Sequence, residues 1–347
     1  MLDFTELREA RQEKGGTANE EEVLAHAWNH VVNHGLVQHT GGDENVHNSN
    51  AGALGSLLDQ ARNDPSHALH YRNTQPHMYR GGQVGDQDSY YNELENALHT
   101  IHGMAHNGND IIRDSIGNRH MARVMGADRG DVSPTWSRYG ADGAATRTSK
   151  SDIAIEDPAH PGEGTGINIS LKKPGGSQLA SAQANENLAL HHHAADQMLN
   201  SPEFDHLSGV EKDKIHDEIM SHASNIAQIQ QKMKGQSAEA QTALVNQGNQ
   251  QIKAIHQKYP TLNYHLRKEA ATGIGKFGVN SGHAAHFFVT TATPKTPAKV
   301  YHYEDPGMEK NVYQGPLPRL SIGAIPRINS KGKPATPREG RLRMDQR

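Results

Sequence analysis

Apolar residues recur every three or four positions through the first third of the chain, a pattern that predicts amphipathic helices. Three segments follow it: residues 19–34, 88–106 and 110–125. The first begins at Asn19, a favourable N-cap, and places glutamates in the first turn, where the helix dipole stabilises them. We therefore expect residues 1–125 to form an N-terminal helical region that packs on a core.

The pattern changes to strict alternation in the middle of the chain, as expected for half-buried strands. Residues 152–156 and 167–172 both alternate, and a loop rich in Gly and Pro separates them. The pair predicts a β-hairpin, followed by a helix over residues 178–199. We assign this hairpin and helix to a core segment, residues 126–200.

The remaining chain predicts a helical insertion and a return to the core. Residues 201–260 are polar and helix-forming with a break near Gly235, which predicts an antiparallel helical hairpin. Residues 261–330 are predicted to complete the core, with a helix around Leu266–Ala271 and further strands, and residues 331–347 to form a basic tail. The predicted fold class is α/β (α+β): a mixed sheet flanked by helices, with a long helical hairpin insertion.

The amino-acid composition argues against several classes of protein and of functional site. The 347 residues include no cysteine, which excludes disulfides, thiolate zinc sites and a cysteine nucleophile. Only 34% of residues are hydrophobic and 5% aromatic, so the core is lean for the length. No run approaches the roughly 18 apolar residues of a membrane span, and the charged N-terminus lacks a signal core. We expect no membrane association and no secretion through a signal peptide.

Charge gives no global attraction to nucleic acid, because the net charge is -4. Any contact with DNA must therefore come from a local basic surface. The final 29 residues, 319–347, contain eight Lys and Arg against two acids and are one such candidate.

The residues that carry chemistry lie on the predicted hairpin and the helix after it. Ser170 and Lys172 alternate onto one strand face, and Asp152 begins the neighbouring strand. Glu186, on the following helix, can deliver a second carboxylate. Asp152 and Glu186, with the backbone carbonyl of Leu171, offer hard oxygen ligands suited to Mg²⁺ or Mn²⁺. Such a metal neutralises a scissile phosphate and lowers the pKa of its water, which Lys172 would orient or deprotonate.

This pattern resembles the PD-(D/E)xK nuclease superfamily, in which an Asp is followed by (Asp/Glu)-x-Lys on the next strand. The chain departs from it at Ser151, which replaces a proline, and at Ser170, which occupies the acidic position. One restriction-endonuclease branch has Ser-x-Lys and supplies the missing carboxylate from the next helix, thirteen residues after the lysine. Here thirteen residues separate Lys172 from Glu186. The resemblance implies a restriction-endonuclease-like fold and a Mg²⁺-dependent deoxyribonuclease, with DNA as partner.

The same resemblance implies roles for further residues. An acidic residue of the first helix often joins the metal site, which Glu22 (or its neighbour Glu21) could do. A glutamine shortly after the lysine often contacts substrate, as Gln178 would. Lys150 and Lys173 flank the site and could meet phosphate groups.

The sequences of residues 149–178 and 267–277 resemble those of uncharacterised nuclease-like proteins of tailed bacteriophages. This implies a protein of the host cytoplasm or of the virion, with virion proteins or a second copy as further partners. A non-catalytic virion or scaffold protein that retains a nuclease-like fold is the alternative from another class. A nuclease that acts on RNA is a third reading.

Other motifs favour structural interpretations. Residues 273–278 resemble a phosphate-binding loop, but Phe277 stands where Mg²⁺ needs a hydroxyl group, so a turn is expected there. His191, His192 and His193 are consecutive on a predicted helix, where three successive side chains cannot share one face. Metal capture at these histidines is therefore expected to be adventitious only.

Overall fold

The computed structural model describes residues 17–71, 87–107, 110–125, 150–160, 164–172, 178–293, 295–322 and 340–345. The described residues form two compact units. Unit 1 takes its described residues from Met1–Asp128, Ser149–Gly176 and Asn280–Asp305. Unit 2 takes its described residues from Ser177–Val279 and Pro306–Arg347.

The helices are α1 (Thr17–His34), α2 (Glu44–Asn63), α3 (Gln87–Asn107), α4 (Asp110–Gly117), α5 (Ala184–Leu199), α6 (Gly209–Lys232), α7 (Ala238–Lys258), α8 (Leu262–Thr272), α9 (Ile274–Phe277) and α10 (Pro306–Met308). A 3₁₀ turn spans Pro202–Phe204 and a π-helical turn spans Glu309–Tyr313. The strands are β1 (Met121–Val124), β2 (Ile153–Glu156), β3 (Gly164–Lys172), β4 (Gln178–Ala182), β5 (Phe287–Thr290), β6 (Lys299–His302), β7 (Arg319–Ile322) and β8 (Gly340–Asp345).

Unit 1 is built on a mixed five-stranded sheet with the order β1-β2-β3-β5-β6. Strands β1, β2 and β3 form an antiparallel meander, β5 runs parallel to β3, and β6 runs antiparallel to β5. A parallel partner requires a long crossover connection, and here all of Ser177–Val279 lies between β3 and β5. The sheet therefore brings together segments that are far apart in sequence.

The apolar core of unit 1 covers one face of this sheet. Ile153 and Ile169 from the strands belong to the same buried cluster as Trp28 of α1 and Leu94 of α3. Trp28 donates its indole N–H to the carbonyl oxygen of His120 at 2.9 Å, which satisfies its polar atom within the core. Because side chains alternate along a strand, the residues between these apolar positions lie on the opposite face.

Unit 2 is mainly helical, with α5 packed against α6 and α8 and with α6 packed against α7. Helix α6 begins with a capping box in which Ser208 and Glu211 bond to each other's backbone N–H groups. A three-stranded antiparallel sheet has the order β4-β8-β7. The buried amide of Gln230 on α6 donates to the carbonyl oxygens of Ala182 and Gly340, at 3.0 and 3.1 Å, and so ties the helix to this sheet.

The predicted fold class is confirmed: a mixed sheet is flanked by helices, and α6 and α7 form the predicted helical hairpin. The units divide the chain differently from the predicted segments 126–200, 201–260 and 261–330. The first of these divides after Gly176, and the last divides at Val279 and again at Asp305. No helix among the described residues has the length and apolar character needed to cross a bilayer.

Three predictions of local structure were wrong. Residues 121–124, which we expected to lie in a helix over residues 110–125, form strand β1 because they pair with β2. Residues 178–182 form strand β4 instead of the start of a helix, because they pair with β8. Within the predicted basic tail, residues 340–345 form β8, which alternates buried and partly exposed positions. Leu342 and Met344 are fully buried there, so this segment contributes apolar surface to unit 2 despite its arginines.

Candidate active site

Asp152 lies immediately before β2 and bonds to the neighbouring strand through both backbone and side chain. Its N–H donates to the carbonyl oxygen of Ile169 at 2.8 Å. Its carboxylate oxygen Oδ2 accepts the backbone N–H of Leu171 at 2.6 Å and the hydroxyl of Ser170 at 3.5 Å. The predicted proximity of Asp152 to the Ser170–Lys172 segment is therefore present in unit 1.

Strand β3 separates its apolar and polar side chains as the sequence predicts. Ile169 and Leu171 belong to the buried core cluster, so Ser170 and Lys172 lie on the other sheet face. Ser170 is buried and Lys172 is partly exposed. The Lys172 ammonium lies 5.8 Å from the ring centroid of Phe288, across the β3–β5 pair. The lysine thus lies beside an aromatic ring, at the end of the strand that bonds to Asp152.

The serine in place of proline before Asp152 has a structural reason. The N–H of Ser151 donates to the carbonyl oxygen of His283 at 3.2 Å, and the N–H of Lys150 donates to the same oxygen at 2.9 Å. A proline at position 151 has no N–H to donate. The Ser151 hydroxyl also donates to the carbonyl oxygen of Ile153 at 2.9 Å. These bonds fix the backbone on which Lys150 and Asp152 are carried.

Glu186 lies at the start of its helix and not in the interior, where we predicted it. We predicted a helix from residue 178 with Glu186 two or three turns inside it, but α5 begins at Ala184 and Glu186 lies in its first turn. A carboxylate there is favoured by the helix dipole whether or not it binds a metal. Glu186 belongs to unit 2 and Asp152 to unit 1, so their meeting at one metal stays a prediction.

The positions of Gln178, Lys173 and Glu22 give less support for a role at the site. Gln178 begins β4 in unit 2, and its side chain lies outside the described residues. Lys173 also lies outside the described residues. Glu22 is partly buried on α1, whose Leu24 and Trp28 belong to the same buried apolar cluster as Ile153 and Ile169. Helix α1 therefore packs on the sheet face opposite Ser170. This placement does not favour a metal-binding role for Glu22, which stays a prediction.

We predicted a turn for the segment that resembles a phosphate-binding loop, but only Gly273 forms one, and Ile274–Phe277 form the short helix α9. Gly273 ends α8 with φ +64°, a left-handed conformation that suits glycine. The buried carboxylate of Glu269 accepts the backbone N–H groups of Gly275 and Lys276 at 2.8 and 2.9 Å. Glu269 therefore fills the place at the start of α9 where a phosphate oxygen would have to bind.

A group of side chains that the sequence analysis discounted comes together on α5. His191 turns away and lies with its Nδ1 2.9 Å from the carbonyl oxygen of Asn187, but His192, His193 and Asp196 converge. The expectation that the three consecutive histidines do not share one face is confirmed, since His191 lies apart, but two of the three lie together with Asp196. The sequence signal was present in the His-His-x-x-Asp spacing, because residues four apart lie on the same side of a helix.

Comparisons of the chain with models of protein families, with curated proteins and with solved structures found no match.

Proposed function

We propose that the chain is a metal-dependent deoxyribonuclease that hydrolyses DNA phosphodiester bonds with Mg²⁺ or Mn²⁺. One observation carries the proposal. The Asp152 carboxylate bonds to β3 at Leu171 and Ser170, at 2.6 and 3.5 Å, and the next residue of that strand is Lys172. A carboxylate beside a lysine-bearing strand is the central element of the resemblance drawn from the sequence.

The donor atoms suit a hard divalent cation. In a strand the N–H and C=O of one residue point to the same edge, so the carbonyl of Leu171 points to the edge where its N–H meets Asp152. The carbonyl of Lys172 points the other way and accepts the N–H of Thr291 at 2.9 Å. A carboxylate has room for about four hydrogen bonds or ligands, so the bond to Leu171 is compatible with a metal on Asp152. Within unit 1 we propose Asp152 and the Leu171 carbonyl as ligands, and a contribution from Glu186 stays the prediction made from the sequence.

The protein's own groups would act on the water and the phosphate. Lys172 would orient or deprotonate the attacking water and balance negative charge that develops on the phosphate. Ser170 would hold a water or a phosphate oxygen through its hydroxyl group. When bound, Mg²⁺ or Mn²⁺ supplies charge neutralisation and a water of lowered pKa.

The test is nicking of supercoiled plasmid by the purified full-length protein, with Mg²⁺, with Mn²⁺ and with chelator. We expect cleavage that depends on the metal, and loss of it in Lys172→Ala. Lys299→Ala is the matched control, because Lys299 is an exposed lysine on β6 of the same sheet. Single-stranded RNA run in parallel separates a deoxyribonuclease from an RNA-directed enzyme.

One observation favours a second candidate, a virion or scaffold protein that keeps the fold without catalysis. The Asp152 carboxylate already has a structural role, since it bonds the backbone of Leu171. Absence of nicking with either metal across pH 6 to 9, in a protein that is folded by circular dichroism, would favour this candidate over the nuclease.

A further inference from the structure

Two histidines and an aspartate of α5 form a compact group within unit 2. The potential ligand atoms of His192, His193 and Asp196 all lie within 4.8 Å of one another. Nε2 of His192 is 3.5 Å from Oδ2 of Asp196. Both histidines are buried, whereas 47% of the Asp196 side chain is exposed, so the group reaches the protein surface at its carboxylate.

A third histidine, His216 on α6, orients this group. Its Nε2 lies 3.0 Å from Nδ1 of His192 and 3.4 Å from Oδ1 of Asp196. A histidine that binds metal through one ring nitrogen commonly has the other held by a hydrogen bond, which fixes the ring. His216 meets that requirement for His192 and links α6 to the group.

We propose that His192, His193 and Asp196 bind a transition-metal dication of the Zn²⁺ class, with His216 as a positioning residue. Two imidazoles with one carboxylate are a donor set used by zinc and by non-haem iron. Ligands of a tetrahedral zinc site lie about 3.3 to 3.6 Å apart when metal–ligand bonds are about 2.0 to 2.2 Å. The distance from His192 to Asp196 already has that value, and rotation of His193 would close the remaining gap.

Charges near the group partly offset one another, because Lys276 interacts electrostatically with His193. The Lys276 ammonium opposes a dication, but Asp196 supplies the opposite charge directly at the ligand position. A bound metal would hold α5 and, through His216, α6, in a chain that has no cysteine for a disulfide.

This inference does not depend on the proposed nuclease activity, and its test keeps the two apart. Metal-depleted full-length protein is titrated with Co²⁺, whose visible absorption reports coordination by nitrogen and oxygen. Excess Mg²⁺ is present to occupy sites made only of oxygen ligands. We expect one equivalent of Co²⁺ to bind with visible bands and to be displaced by Zn²⁺.

Variants assign the binding to residues. Asp196→Asn and His193→Gln should weaken Co²⁺ binding at least about tenfold, while His206→Ala, which removes an exposed histidine of the same unit, should not. Asp152→Asn should leave the Co²⁺ affinity unchanged. Zn²⁺ should raise the Tm of the wild-type protein more than that of Asp196→Asn.

Asp196→Asn should fold, because asparagine has the size of aspartate and the side chain is half exposed. This variant therefore still tests the proposal if His193→Gln fails to fold. Equal Co²⁺ affinity in the wild-type protein, Asp196→Asn and His206→Ala would overturn the proposal. Loss of Co²⁺ binding in Asp152→Asn alone would also overturn it, because the metal would then belong to the proposed nuclease site. Failure to nick plasmid bears only on the proposed nuclease.

Discussion

Asp152 combines a structural bond with the proposed chemistry, and the two can be separated by substitution. Its Oδ2 accepts the N–H of Leu171, a buried residue in the middle of the sheet. Asparagine keeps an oxygen acceptor at that place but removes the negative charge that a metal requires. Alanine removes both the acceptor and the charge.

We therefore expect Asp152→Asn to abolish nicking with little loss of stability. Asp152→Ala should abolish nicking and also lower the free energy of unfolding by about 1 to 3 kcal/mol, since a buried N–H loses its partner. Urea denaturation followed by circular dichroism measures the second effect, and plasmid nicking measures the first. Asp59→Asn, at an exposed position of α2, serves as the control.

Equal stability of the asparagine and alanine variants would show that the bond to Leu171 contributes nothing to folding. Nicking by Asp152→Asn at the wild-type rate would remove Asp152 from the proposed metal site.

The proximity of Asp152 to Ser170 could be predicted from the sequence, because alternation places both at the same end of a hairpin. The bond to the backbone of Leu171 could not. Ile153 pairs with Ile169 in the strand register, yet the N–H of Asp152 bonds to that same Ile169. Neither this departure from the register nor the bond of the carboxylate to the backbone leaves a mark in the side-chain pattern.

At the scale of elements, β4 is a case in which the local sequence pattern does not predict the type of secondary structure. Five residues, Gln178–Ala182, are too few to separate helical from strand periodicity, and alanine favours a helix. Pairing with β8, about 160 positions away in sequence, decides the outcome. The same pairing forms β8 from residues whose basic composition suggested a tail. The long helices α6 and α7 were predictable because more than twenty residues of helix-forming sequence leave little ambiguity.

The change from helix to strand at β4 alters the expected environment of Glu186, which now begins a helix. If Glu186 is the migrated carboxylate, Glu186→Ser should lose most nicking activity. Ser170→Glu combined with Glu186→Ser should recover part of it, because the hydroxyl of Ser170 lies 3.5 Å from Oδ2 of Asp152. Nicking rates over a range of Mg²⁺ concentrations measure both effects.

Ser170→Glu alone is the control, since Ser170 is buried and a larger acid there could disturb packing. Equal activity of the double variant and Glu186→Ser, with both folded, would contradict the migrated-glutamate interpretation. Wild-type activity in Glu186→Ser would leave this residue with its helix-dipole role, which is worth about 0.3 to 1 kcal/mol.

At the scale of the whole molecule, each unit is assembled from segments that are distant in sequence. Within the part of the chain that the structure describes, the two units alternate, with boundaries after Gly176, Val279 and Asp305. Domain boundaries are predicted from linkers and shifts in composition along the sequence. Such signals can divide the chain only into consecutive segments. The fold class could be predicted because it depends on the types of elements, whereas the units depend on which elements pair.

Buried and partly buried histidines make the stability of both units depend on acid. Burial lowers the pKa of His256 to about 3 and that of His265 to about 4 in unit 2. In unit 1, burial and neighbouring histidines lower the pKa values of His30 and His102 to about 4. In the unfolded chain these groups titrate near about 6.5. Between about pH 6.5 and 4 the unfolded state therefore binds more protons than the folded state, and stability falls as the pH falls.

We expect the urea midpoint of unfolding to be highest above about pH 6.5 and to decrease steadily towards pH 4. His256 alone, which is almost fully buried, should contribute a slope of up to about 1.4 kcal/mol per pH unit within this window. His256→Gln removes that titrating group, so the variant should lose less stability than the wild-type protein between pH 7 and 5. His206→Gln, at an exposed position, should follow the wild-type curve. Equal slopes for His256→Gln and the wild-type protein would mean that His256 is not held neutral in the folded state, and the acid sensitivity would then have to come from the other buried histidines.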